Sequence, residues 1–326
     1  MARRPDTGGL EGVLVVAKTP GPTSHDVVAL VRRLSGTRRI GHGGTLDPFA
    51  SGVLPLFLGG ATRLVEYHLG DRKAYRATIC FGSSSTTDDL DGELTPVPGP
   101  LLGADAVRVA LDRFRGEIRQ RPPAFSAIQV GGRRAYALAR EGNAPDLPER
   151  TVTIHDIELV AWNSDDPDRP IAVVDVACSA GTYIRAIARD LGEALGTGAY
   201  LGALTRTASG PFQLGDAVSL DTLRAAAAIG PAAVADLLLP PDAGLDSIPA
   251  VRLSATEIAD AAMGRFVRPE RGLADLPADV PIRLQDSDGR IVGIGRVVAR
   301  RIAPEKMLKG VHAPAADGLT DGPTDG

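Results

Sequence analysis

The sequence predicts a mixed α/β chain built as one large domain and one small one. Three observations lead there. Its 326 residues exceed the roughly 100–200 of a single domain, and 44% hydrophobic against 23% charged residues is the balance of a chain that buries a core. Strand-like and helix-like runs alternate over most of the length. Short strand-like runs broken by turns then return over 248–310.

Gly12 to Ala17 is a short β-rich run, and Thr19-Pro-Gly-Pro after it is a turn. Ser24-His25-Asp26 ahead of Val-Val-Ala-Leu-Val-Arg-Arg-Leu reads as the capped start of a helix. Arg38 to Gly44 is glycine-rich, and Leu46-Asp47-Pro48 puts a carboxylate on a loop before the apolar Val53-Leu-Pro-Leu-Phe-Leu. Tyr75 to Phe81 is a strand candidate, while Thr86 to Glu93, with Asp88, Asp89 and Asp91, is a polar turn lacking the spacing of a calcium loop. Asp105 to Phe114 has helical spacing. Arg119 to Pro148, with Pro122-Pro123 and Gly131-Gly132, reads as an arm projecting from the core. Val152 to Trp162 and Ile171 to Cys178 are strands, the second apolar enough to be central. Tyr183, Ile184, Ile187, Leu191 and Leu195 trace one helix face ending at Gly196, with Arg185 in the first turn. Residues 219–240 are Ala-rich and helical, 248–310 form a small β domain, and Ala313 to Gly326 has the composition of a disordered tail.

Composition also excludes. Cys80 and Cys178 stand far apart with no zinc or disulfide spacing, which suits the cell interior. No apolar leader follows Met-Ala-Arg-Arg, and the Gly52 to Ala61 run is about half of the roughly 20 residues a spanning helix needs. We therefore expect no membrane role, a cytoplasmic location and a monomer, since no amphipathic surface calls for a partner subunit. The net charge of −4 hides local asymmetry. Arg113, Arg115, Arg119, Arg121, Arg133, Arg134 and Arg140 face one acid in their window, Glu117, and residues 1–50 hold seven basic residues against four acids. The positive surface is expected in the first half of the chain.

Cofactor signatures fail one by one. Gly41-His-Gly43-Gly-Thr-Leu46 and Gly196-Thr-Gly198-Ala-Tyr-Leu201 lack the last glycine of a dinucleotide fingerprint, and no P-loop, nucleophile elbow or His-Glu-x-x-His occurs. What remains is Asp47, beside His42 and Pro48 on a glycine-packed loop. A lone loop aspartate is otherwise a cap or turn former.

The longer string changes that reading. Gly41-His-Gly-Gly-Thr-Leu-Asp-Pro-Phe-Ala-Ser-Gly-Val-Leu-Pro-Leu closely resembles the catalytic motif of the tRNA pseudouridine synthase B family. Further segments resemble that family in the same order, from Lys18-Thr-Pro-Gly-Pro-Thr-Ser-His-Asp and Lys73-Ala-Tyr-Arg-Ala through Ser126-Ala-Ile-Gln-Val-Gly-Gly-Arg-Arg-Ala-Tyr to Cys178-Ser-Ala-Gly-Thr-Tyr-Ile-Arg and Leu204-Thr-Arg-Thr. Together they span residues 12 to about 220.

The resemblance implies a pseudouridine synthase fold of the α+β kind, with a bent, largely antiparallel central sheet and a small C-terminal PUA-like β-barrel. The implied divisions are a flexible 1–11, a catalytic domain over 12–245 with a basic RNA-binding arm at 119–148, the PUA-like domain at 246–312, and the 313–326 tail. The implied reaction converts uridine-55 of the tRNA T-loop to pseudouridine without cofactor or metal. By resemblance Asp47 is the catalytic carboxylate, which attacks C1′, attacks C6 or takes the C2′ proton. Arg185 pairs with it, Tyr75 stacks on the uracil, and His42 enters the T-loop once the nucleotide is flipped out. Leu204 lines the base pocket, Lys18 and Tyr183 lie near the site, and Arg133 and Arg134 contact phosphate. Two rival classes are a tRNA-folding chaperone without essential chemistry and an N-glycosidase that would release free uracil.

Overall fold

The computed structural model describes residues 9–126, 128–143, 145–269, 276 and 278–308. The expected flexible start lies mostly outside them, and the 313–326 tail wholly so. Strand β1 (Gly12–Lys18) is apolar along its length because both of its faces are covered. Helix α1 (Ser24–Ser35) opens one residue earlier than expected, with Thr23 as the cap. The Thr23 hydroxyl accepts from Asp26 N at 3.0 Å, and the Asp26 carboxylate accepts from Thr23 N at 2.9 Å. That leaves the Ser24 hydroxyl inside the helix, free for a tertiary role. Strands β2 (Ile40–His42) and β3 (Ser51–Leu58) pair antiparallel and enclose the Gly43–Ala50 loop.

Strand β4 (Lys73–Phe81) follows, then a small hairpin of β5 (Ser83–Ser85) and β6 (Leu94–Pro96) whose tip is the polar 86–93 turn. Helix α2 (Ala104–Asp112) and strand β7 (Gly116–Gln120) lead to the arm, built from β8 (Gln129–Val130), β9 (Arg133–Arg134) and α3 (Ala135–Arg140). Strands β10 (Arg150–Asn163) and β11 (Ile171–Cys178), helix α4 (Ile184–Leu195) and strand β12 (Ala199–Ser209) complete the centre. Short β13 (Phe212–Gln213) and β14 (Val218–Ser219) precede the Ala-rich segment, which Gly230 divides into α5 (Leu220–Ile229) and α6 (Pro231–Ala235).

The ten-stranded sheet runs β14-β1-β3-β12-β4-β11-β10-β7, with β13 on β12 and β2 on β3. Only the β1–β14 and β3–β12 pairs are parallel, so the sheet is mixed and largely antiparallel. On one side Val107, Leu111, Ile187 and Leu191 cover Ile79, Val174 and Leu201. Elsewhere Val27, Val31, Leu223 and Val234 pack on Leu14, Val16, Leu54 and Leu56. Each such side chain contributes about 1.5–3 kcal/mol by leaving water.

A single lateral row crosses β1, β3, β12, β4 and β11. Lys18 pairs with Gly52, Gly52 with Arg206, Arg206 with Tyr75, and Tyr75 with Val176. Gly52 allows the close approach. Its φ is +112°, and a Cβ there would lie 2.1 Å from the Arg206 carbonyl oxygen.

The last unit holds β15 (Ala250–Arg252), α7 (Ala255–Ala262), β16 (Pro281–Gln285), β17 (Ile291–Val298) and β18 (Arg301–Met307). Its sheet is open, in the order β15-β16-β17-β18, and no closed barrel forms among the described residues. Closure needs the two edge strands to pair. Here β15 is three residues long and pairs only with β16. The unit docks on the large sheet's domain through Leu64, Leu245, Ile291, Ile294 and Leu308.

Candidate active site

Asp47 sits on a loop held from three directions. The Lys18 ammonium, 2% exposed, donates to the carbonyls of Thr19 (3.1 Å), Asp47 (3.2 Å), Pro48 (3.1 Å) and Ala50 (2.6 Å). The Ser24 hydroxyl accepts from Leu46 N at 2.9 Å and donates to Leu46 O at 3.1 Å, while Gly21 N donates to Pro48 O at 2.8 Å. Arg206, 1% exposed, donates to Gly44 O at 3.1 Å, Thr45 O at 3.4 Å and Val53 O at 2.7 Å. Buried carbonyls must find donors, and two buried cations supply most of them. The expected substrate contact Lys18 thus has its ammonium turned to the loop backbone. Burial brings that ammonium down to about 8.

Arg185 comes from the first turn of α4 and meets Asp47 as the resemblance implied. Nη2 donates to Asp47 Oδ1 at 3.4 Å, and Nε lies 3.1 Å from Oδ2 without a hydrogen-bond geometry, so this buried N–H stands unsatisfied. The remaining donors reach Asp89 Oδ2 at 3.0 Å, Thr87 O at 3.2 Å and Phe125 O at 3.0 Å. Asp89 is itself buried, and its other oxygen accepts from Thr87 Oγ1 at 2.5 Å and Asp91 N at 3.1 Å. One guanidinium therefore joins the Asp47 loop, the 86–93 turn and the root of the arm. Burial raises the Asp47 carboxyl above its ordinary range, and Arg185 opposes that. Its side chain is 36% exposed, and the guanidinium alongside favours the carboxylate form.

One helical turn on, Arg189 repeats the pattern, reaching Asp88 Oδ2 at 2.8 Å, Asp190 and the Arg121 carbonyl at 3.0 Å. The acidic turn that suggested calcium is the counter-charge to these two arginines. No group of three metal-ligating side chains gathers among the described residues.

Tyr75 lies at the start of β4, opposite Arg206, with its ring against the core beneath the loop. Burial raises its phenol, and the Arg206 guanidinium alongside pulls the other way. Leu204, 7% exposed, belongs to the same cluster as Leu46 and Tyr75. His42 is half-buried, its Nδ1 accepts from Gly44 N at 3.4 Å, and its ring stands edge-on to His25 at 5.5 Å. Burial, His25 and Arg206 all lower its pKa. Tyr183 caps α4; its backbone exchanges two bonds with the Gln120 amide, and Arg150 stacks on its ring at 4.5 Å.

The arm carries Arg133 and Arg134 exposed on β9. The charge count expected there is offset by acids at or beyond the window's edges: Arg115 pairs with Asp112 and Asp156, Arg119 with Glu149, Arg121 with Asp146, and Arg133 with Glu141. Local periodicity passes over β12 as an element, and with it Arg206, although Leu204-Thr-Arg-Thr contains that residue. It also passes over Asp89 as Arg185's partner.

Comparison with known proteins converges with this geometry. Residues 32–184 match the TruB family pseudouridylate synthase N-terminal domain, and 185–246 match the tRNA pseudouridylate synthase B C-terminal domain. The chain is 46% identical over 285 residues to tRNA pseudouridine synthase B of Synechococcus sp. (strain WH7803), covering 87% of this chain and 92% of that one. It is 43% identical over 298 residues to the protein of that name from Acaryochloris marina, covering 91% and 98%. Among solved structures, the archaeal box H/ACA sRNP Nop10-Cbf5 complex contains a chain that superposes with a TM-score of 0.67 at 25% identity, covering 94% of this chain and 89% of that one. With that identity over nearly the full length, and with the motif loop, its arginine partner and the sheet all in place, the chain belongs to the TruB family of tRNA pseudouridine synthases.

Proposed function

We propose that the chain is an isomerase that converts uridine-55 in the T-loop of tRNA to pseudouridine, with Asp47 as the catalytic carboxylate. The N1–C1′ bond breaks, the uracil turns, C5 bonds to C1′, the C5 proton leaves, and N1 takes up a proton. Carboxylates are the nucleophiles and bases found at anomeric carbons. The observation that carries the reading is the Asp47–Arg185 pair, a carboxyl group beside a guanidinium on a loop whose backbone is fixed at Leu46, Asp47 and Pro48. The three routes open to that carboxylate, at C1′, C6 or the C2′ proton, share this requirement.

A two-carboxylate glycosidase is disfavoured. Such enzymes need a second carboxyl as acid. Both oxygens of the neighbouring Asp89 are already taken, by Arg185, Thr87 and the Asp91 amide.

In this reading residues 12–245 act as the catalytic domain and 119–148 as the RNA-binding arm, the enzyme working as a cytoplasmic monomer. Tyr75 and Leu204 line the base site, His42 takes the place of the flipped nucleotide, and Arg133 and Arg134 meet phosphate. Tyr183 borders the site, and Lys18 acts through the loop. The open sheet β15-β16-β17-β18 falls in the part of the sequence, 246–312, that the resemblance gives to a PUA-like domain.

The test is tritium release from tRNA carrying 5-tritiated uridine, with the modified position mapped afterwards. We expect one release per tRNA at position 55 from the wild type. Asp47→Asn should release none while binding tRNA within about threefold of wild type. Normal turnover by Asp47→Asn would remove the mechanism, and a wild type that binds but never releases would favour the chaperone.

A further inference from the structure

We propose that Arg206 is a positioning residue for Tyr75, fixing the phenol against the same loop that carries Asp47. The inference rests on the reaction proposed above and adds a residue to it.

Three features of the structure lead there. The first is register. Arg206 of β12 stands directly opposite Tyr75 of β4 in an antiparallel ladder, a relation that brings Cβ atoms to about 4.5–5.5 Å on one face of the sheet. The second is the use of the fork. Nε is spent on Val53 O at 2.7 Å, Nη1 on Thr45 O at 3.4 Å and Nη2 on Gly44 O at 3.1 Å, so the guanidinium is clamped in place. Each terminal nitrogen keeps a second N–H, and the register sets the Tyr75 side chain on the same face of the sheet. A guanidinium only donates, so in any bond between the two groups the phenol oxygen is the acceptor.

The third feature is what Arg206 lacks. It is a buried cation with no carboxylate ion pair among the described residues, held instead by three backbone carbonyls. A buried charge satisfied only by carbonyls is expensive to fold around. As loop scaffold alone, a neutral donor would serve without that cost. A fixed positive charge beside a phenol does something a neutral donor does not, for it favours electron density on the phenol oxygen where the base would stack. The loop that carries Asp47 and the strand that carries Tyr75 thereby meet at a single side chain, although 27 residues lie between Asp47 and Tyr75 in the chain.

The test is a double-mutant cycle on single-turnover pseudouridine formation in tRNA, with wild type, Arg206→Lys, Tyr75→Phe and the double variant. Lysine keeps the charge but has no planar fork, so it cannot hold the loop carbonyls and the phenol together. Arg206→Lys should slow product formation at least about tenfold in the Tyr75 background, leave tRNA affinity within about threefold, and cost less than about threefold in the Tyr75→Phe background. Multiplied losses, or an Arg206→Lys enzyme as fast as wild type, would overturn the role given to Arg206. Should thermal melting show that Arg206→Lys does not fold, Arg206→Gln runs the same cycle with the same two readings. A wild type that leaves tRNA unmodified overturns the reaction itself, which is a different result from an active wild type whose losses multiply.

Discussion

Replacing Lys18 by methionine separates the stability of this fold from its activity. The side chain keeps nearly its length and loses the ammonium that serves four carbonyls. Two of the four retain other donors, since Pro48 O still accepts from Gly21 N and Asp47 O from Ala50 N. Thr19 O and Ala50 O lose theirs. Thr19 is exposed and its carbonyl turns to water, whereas the orphaned buried carbonyl of Ala50 costs about 1–3 kcal/mol. Against it stands relief from burying a charge. A lysine brought from 10.5 to about 8 carries roughly 3 kcal/mol of that penalty, and methionine carries none. The two nearly offset, leaving a net change within about 2 kcal/mol of zero and a melting temperature within about 10 °C of the wild type. The Asp47 loop, however, loses the ammonium that ties down its carbonyls at Asp47, Pro48 and Ala50. We expect tritium release to fall at least about a hundredfold, since a carboxylate misplaced by an ångström loses that much. Melting followed by circular dichroism and single-turnover release measure the two effects separately. Full activity with a collapsed melting temperature would refute the reasoning, because it would make Lys18 a core residue with no bearing on the loop.

Asp89→Asn should keep the fold and slow product formation about 10- to 100-fold, because Arg185 then loses one of its two counter-charges; single-turnover release on a variant of normal melting temperature checks it. Glu141→Gln frees Arg133 from its partner and should tighten tRNA binding about two- to fivefold at low salt, with a steeper salt slope by filter binding. An unchanged slope would remove Arg133 from the RNA surface. Activity should decline as pH rises past about 8, where buried Lys18 and Lys73 lose their protons. Folding stability should not decline with it. Between about pH 8 and 9 the unfolded chain, its lysines near 10.5, binds more protons than the folded one, so stability rises with pH in that window. From about pH 9 the buried Cys178, pushed up to about 11, acts in the opposite sense. Parallel loss of activity and melting temperature between pH 8 and 9 would contradict the assignment.

Periodicity made most elements legible, because a strand or helix covered on one or both faces leaves a local pattern. Gly12–Lys18, Lys73–Phe81, Ile171–Cys178 and Ile184–Leu195 all sit where the pattern puts them. The C-terminal unit was less legible. Short strands were readable there, but whether a sheet closes depends on pairing between its edges, which no single strand records.

Asp47 stood out in the sequence as a candidate because the string around it is contiguous and resembles the family's motif. Its electrostatic setting did not. Arg185 is 138 residues away from it, Asp89 lies 96 from Arg185, and Arg206 faces Tyr75 only because β12 inserts between β3 and β4. The arm shows the same limit. A window of seven arginines and one acid reads as strongly basic, yet Glu141, Asp146, Glu149 and Asp156 fold back to pair with it. Composition, motif and periodicity are properties of neighbours along the chain, and the sequence carried them. Charge pairing and the alignment of Lys18, Arg206 and Tyr75 across the sheet depend on distances through space, which only strand order and register set.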